Sequence, residues 1–201
     1  GIPTWVMGLL IVFFAGLVFL GGVQRLASVT EKLVPIMAVI YLIGGLVVLI
    51  LNIQNLPGAF ALIFQCAFNP QAEVGGVTFG IIAAISQGAK RGLFSNEAGM
   101  GSTPHAHALA DVKDPHHQGT VAMIGVFIDT FVVVTMTALV VISVLYVGGP
   151  LSVDATGMVD GIDKTNMAQL AFGTFFGSTF GNSFVAICLL MFAFSTILSW
   201  N

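Results

Sequence analysis

Groups able to bind or carry charge are concentrated between Gly88 and Ala110, where Lys90, Arg91, Ser95, Asn96, Glu97, Ser102, His105 and His107 interrupt an otherwise apolar chain. Two cations, a carboxylate, hydroxyls and an amide can together hold a zwitterion, ligate a hard cation or relay a proton. Gly88, Gly92, Gly99 and Gly101 punctuate the same stretch, so opened backbone can add its own carbonyls and N–H groups. Asp129 is a second site of interest: a lone carboxylate in a long apolar run, flanked by Thr130, Thr135 and Thr137. A buried acid in a membrane segment is costly and by default functional, so Asp129 is read as a gating or proton-carrying group. The histidines do not read as a metal site. His105 and His107 on one helix point about 200° apart, whereas helical metal pairs sit three or four residues apart. His116 and His117 lack a neighbouring set of zinc ligands. Cys66 and Cys188 lie in separate apolar segments and read as small fillers.

The elements that must position these groups follow from composition. The chain has 201 residues, of which 57% are hydrophobic and 7% charged, and its mean hydropathy is +1.01. A soluble domain carries about 25% charged residues, so a water-facing surface is excluded and a bilayer is the fitting solvent. A net charge of −3, with no basic run, excludes nucleic acid as a partner. No leader is expected before the first apolar run, and apolar sequence at both ends suggests a piece of a longer chain. Crossing the hydrocarbon takes roughly 20 apolar residues. Spans are expected at 4–22 and 33–51, joined by a polar hinge over 24–32, with Pro35 in the first turn of the second. Residues 52–71 are too short to cross and read as an interfacial or re-entrant helix. An unbroken helix over 72–110 would be roughly 58 Å long, about twice the core thickness, so the span at 73–108 is expected to be discontinuous, opening within 88–102. Further spans are expected at 119–147 and 167–200, separated by a polar loop at 148–166. Arg25, Lys32, Lys90, Arg91 and Lys113, five of the six basic residues, fall on one side if 23–32 and 111–118 face the cytoplasm and 52–71 and 148–166 face outward.

The run GAKRGLFSNEAGMGSTPHAHA at 88–108 resembles the signature of the alanine/glycine:cation symporters, the sodium:alanine symporter family. Residues 23–35 and the final FAFSTILSW at 192–200 are similar to the same family, and the resemblance extends over essentially the whole chain. It implies an all-α polytopic membrane protein with the leucine-transporter-type inverted-repeat fold. About five transmembrane helices are present on this view, corresponding to helices four to eight of the ten-helix core, with one of them discontinuous. The first broken helix of that fold is missing here. The implied activity is sodium-coupled symport of a small neutral amino acid, alanine or glycine, into the cell by alternating access. The implied location is a bacterial inner membrane, with the lipid bilayer and the rest of the transporter chain as partners. No cofactor is expected beyond Na⁺ as coupling ion, and no enzymatic activity. Carried over by position, the Ala193 carbonyl and the hydroxyls of Ser195 and Thr196 would ligate sodium. Gly92, Phe94, Ser95, Asn96 and Trp200 would line the substrate pocket, with the Phe94 ring limiting its size. Read from the residues themselves rather than from the resemblance, Arg91, Glu97 and Asp129 would act in gating or structure, Glu97 by pairing with Arg91 or Lys90. Two rivals are an intramembrane enzyme built on Glu97 and the histidines, for which no HExxH or GxSxG motif is present, and a non-catalytic assembly subunit.

Overall fold

A computed structural model describes residues 3–68, 76–147 and 166–199. Every regular element among the described residues is helical. Helix α1 (Thr4–Phe19) carries no charged residue and is followed by a turn in which Gly22 takes φ +73. Helix α2 (Gly22–Leu51) then runs unbroken for 30 residues. The expected hinge at 24–32 is therefore helical. Gln24, Arg25, Leu26, Ala27, Glu31 and Lys32 are good helix formers with no breaker among them. At about 45 Å, α2 exceeds a bilayer core of ~30 Å, so its polar first turns can project past the hydrocarbon. Pro35 accordingly lies inside the helix rather than in its first turn.

After a 3-10 turn at Ile53–Asn55, α3 (Leu56–Phe68) is 13 residues long, too short to cross. Helix α4 (Gly76–Ser95) ends before residues 96–101, and α5 (Ser102–Ala108) follows. Helix α6 (Pro115–Phe127) starts four residues ahead of the expected 119 because Asp114 caps it, accepting a hydrogen bond from the His116 N–H, and Pro115 suits the first turn. The helix continues through a π segment (Ile128–Val134), α7 (Thr135–Val141) and a second π segment (Ile142–Tyr146). Most of the loop at 148–166 lies outside the described residues. The expected last span at 167–200 is two helices, α8 (Met167–Phe176) and α9 (Ser178–Ser199), parted by Gly177 at φ +89.

Three helical stretches are long and apolar enough to cross a membrane among the described residues: Gly22–Leu51, Pro115–Tyr146 and Ser178–Leu198. Large apolar side chains cover their surfaces, including Ile43, Ile50, Phe127 and Phe131. Water would penalise that arrangement, whereas lipid or neighbouring spans would not.

The chain divides into two compact units, residues 1–44 with 172–201, and residues 45–171. In the first unit Ala15, Val18 and Leu198 form a small core with Phe19, Leu26, Val29, Phe194 and Ile197 packed on it. Phe172 is fully buried, with the Tyr41 ring 6.1 Å and the Phe184 ring 5.6 Å away. Gly181 lets the backbone of Phe172 pass so closely that a Cβ would collide with it. In the second unit Gly45 makes room for Met136, and Val48, Ala59, Val140 and Leu145 are buried.

Candidate functional site at the break after Ser95

The residues of the expected opening come together at the end of α4. The Asn96 N–H still reaches Gly92 O at 3.1 Å, but Glu97 N–H turns to Phe94 O at 3.2 Å and Ala98 N–H to Leu93 O at 2.9 Å. This crossed pair is a Schellman termination, whose left-handed residue is usually glycine. Here that residue is Glu97, at φ 53, and Gly99 and Gly101 follow in left-handed geometry at φ 79 and 85. The helix thus opens over 96–101, whereas Gly88 and Gly92 remain within α4.

Two hydrogen bonds join this opening to the first π segment. Ser95 Oγ donates to Asp129 Oδ2 at 2.8 Å, and Thr130 Oγ1 donates to Asn96 Oδ1 at 3.3 Å. Ser95, the last residue of α4, and Asn96 just beyond it therefore meet consecutive residues on the neighbouring helix. Asn96 also donates from Nδ2 to Gly92 O at 3.0 Å, so its amide is held from both ends. Within the opening, Ser102 Oγ donates to Glu97 Oε2 at 2.6 Å. Ser102 is the first residue of α5, so this bond lets the Glu97 side chain bridge the break. Its carboxylate stands at the start of α5, where N–H groups favour an anion.

The side chains differ in access. Asn96, Glu97, Asp129 and Thr130 are half-buried, and Ser95, Lys90 and Arg91 are exposed. Phe94, whose ring was expected to limit the size of the pocket, is 67% exposed. Thr135 Oγ1 donates to Thr130 O at 3.1 Å, spanning five residues as the π register requires. Thr137 Oγ1 returns to Val133 O at 2.7 Å. The cluster thus offers carboxylate, hydroxyl and amide oxygens beside opened backbone, a set suited to polar ligands and hard cations.

A second locus lies on α9. Ser195 Oγ and Thr196 Oγ1 both donate to Phe192 O, each at 2.8 Å. Both hydroxyl hydrogens are directed at that carbonyl, and a hydroxyl that donates in this way can still accept through its oxygen. Ser195 is buried and Thr196 exposed. Ala193 sits within the continuous α9. Trp200 lies outside the described residues. His107 Nδ1 is 2.6 Å from Gln118 Nε2, at an open cleft of about 440 Å³ that Pro115 and Ala122 also line. No group of three or more His, Cys, Asp or Glu side chains able to hold a metal ion occurs among the described residues.

The pairing of Asp129 with Ser95, 34 residues away, could not be read from the sequence, since it depends on the rotation of two helices. The signal that was present was Asp129 itself, with Thr130 beside it. Asn55 gave no such signal. Its Nδ2 reaches Ser143 O and Val147 O at 3.2 and 2.9 Å.

A model of the sodium:alanine symporter family matches residues 1–201. The chain belongs to that family. It is a family of membrane symporters, not of enzymes, and the enzymatic alternative falls with it. The chain is 38% identical over 202 residues to the sodium/alanine symporter AgcS of Methanococcus maripaludis. It is 37% identical over 207 residues to a sodium/proton-dependent alanine carrier protein of Bacillus sp. strain PS3. It is 40% identical over 200 residues to an uncharacterized transporter of Haemophilus influenzae. These alignments take in 100%, 100% and 99% of this chain but 42%, 45% and 42% of the relatives. The chain spans less than half the length of those proteins.

Proposed function

We propose that this chain is the middle part of a transporter that couples Na⁺ entry to uptake of a small neutral amino acid, alanine or glycine, by alternating access. The observation that carries this reading is the opening at 96–101, tied by Ser95 and Asn96 to Asp129 and Thr130, in a chain of the sodium:alanine symporter family. Non-helical backbone at membrane depth is tolerated only where it is enclosed by protein or lines a cavity, and broken helices of this kind form transporter binding sites. Gly92, Phe94, Ser95, Asn96 and Trp200 form the substrate locus in this proposal, and Arg91, Glu97 and Asp129 govern its opening. Na⁺ is taken by oxygens of Ala193, Ser195 and Thr196 on α9, with spans outside this chain completing the shell. The fold is of the leucine-transporter type, multi-pass in a bacterial inner membrane, with 23–32 and 111–118 facing the cytoplasm. The test uses the full-length protein in sealed vesicles: an inward Na⁺ gradient should drive uptake of labelled alanine and, in competition, glycine. Uptake that is indifferent to the Na⁺ gradient sinks the proposal.

A further inference from the structure

We propose that α3 and the C-terminal end of the span Pro115–Tyr146 move as a single piece, with Asn55 as the positioning residue that couples them. This inference rests on the transport reading above for its cycle, but not for its contacts. The second π segment sends Val147 N–H to Ile142 O at 3.1 Å, past the Ser143 carbonyl that an α-register would have used. Asn55 fills the gap, donating from Nδ2 to Ser143 O at 3.2 Å and to Val147 O at 2.9 Å. Asn52 Oδ1, 3.0 Å away, holds the same amide in place. A helix end leaves carbonyls without partners, and leaving them so in an apolar setting is costly. The end of this span is therefore finished by a side chain from another element.

Packing reinforces the clamp. A Cβ placed on Gly58 would lie 2.7 Å from Val147 Cγ1, so only a residue without one lets α3 seat this closely. Ala59, Ser143 and Leu145 beside it are fully buried. Helix α3 has 13 residues and cannot cross the bilayer by itself, so the surface it docks on sets its place. The same helical span carries Asp129 and Thr130 at the break. A rotation of that span during the cycle would thus carry α3 with it.

The experiment uses the full-length transporter with its native cysteines, Cys66 and Cys188 among them, replaced. Cysteines are introduced as Gly58→Cys and Val147→Cys. The added Cβ at 58 lies 3.8 Å from Val147 Cβ, close to the mean Cβ separation of disulfides, and Val147→Cys removes the crowding methyl. The bond should form on oxidation, read as protection from a maleimide reagent, and Na⁺-driven uptake should persist with the bond closed. Loss of uptake on oxidation, regained with reductant, would show that the two elements part in every cycle and overturns the proposal. Failure of the bond to form overturns it as well. Adding Asn55→Ala should slow bond formation roughly fivefold, the scale of one neutral hydrogen bond. It should also lower uptake in the reduced protein, and oxidation should restore that uptake. A folding defect set during synthesis would not be reversed by a bond closed afterwards. An unchanged rate of closure removes Asn55 from the coupling, and this arm reads out even if the protein carries no alanine.

Discussion

Glu97 occupies a backbone position that glycine usually fills, and the left-handed geometry costs an L-residue about 1–2 kcal/mol. The compensation is the bond from Ser102 Oγ to its carboxylate, since hydrogen bonds to charged groups contribute about 1.5–3 kcal/mol. Glu97→Ala should lose the bond and keep the strain, whereas Glu97→Gly loses the bond and relieves the strain. Thermal unfolding in detergent should therefore place Glu97→Ala below Glu97→Gly; the reverse order would remove backbone strain from the account. Neither variant should match the wild type in uptake, because both unpin the start of α5. Thr196 is a cleaner case, because its hydroxyl is exposed and already turned to Phe192 O. Thr196→Ala should raise the half-saturating Na⁺ concentration of alanine uptake about tenfold or more, since one oxygen contact to an ion is worth roughly 1.5–3 kcal/mol. Thr196→Ser keeps the oxygen and should be mild. If both keep the wild-type Na⁺ dependence, the ion binds elsewhere.

Gly177 and Gly181 make two helices out of what hydropathy reads as one. Gly181→Ala drives a Cβ into the backbone of Phe172, which a side-chain rotation cannot relieve. It should destabilise the protein by a few kcal/mol. Gly119→Ala in α6 meets nothing within 4 Å and should be neutral or gain up to ~1 kcal/mol from helix propensity. Equal unfolding midpoints for the two variants would contradict the close approach of α8 and α9. The comparison also shows what was legible in the sequence. Length alone told that 73–108 could not be one straight helix, and the glycines placed the opening within fourteen residues. The sequence did not tell that Gly88 and Gly92 would stay helical, because a glycine breaks a helix only where the following hydrogen bonds turn away, and here that happens at Glu97. The helical 24–32 was misread because polar residues suggest a loop to a hydropathy scale yet are good helix formers. The two π segments leave no trace in residue periodicity. Each has partners from another element, Ser95 and Asn96 on side chains of the first and Asn55 on carbonyls at the end of the second.

At the scale of the whole molecule, the proposed sidedness rests on where the basic residues fall. Ser28 is exposed on the polar early turns of α2, between Arg25 and Lys32. A single cysteine at Ser28 in the full-length protein, with native cysteines replaced, should react with an impermeant thiol reagent only after the cytoplasmic side is opened. One at Ser152 should react in intact cells. Labelling of position 28 from outside would invert the topology and the direction assigned to transport. One feature of the fold also bears on how such a chain is made. The machinery that threads nascent helices into a bilayer meets 167–199 as apolar sequence some 50 Å long if helical, enough for more than one placement. The left-handed turn at Gly177 removes that ambiguity by starting the crossing at Ser178. Because the Phe172 backbone rests on Gly181, α8 gains this packing only once α9 has been made, so the pair is completed together.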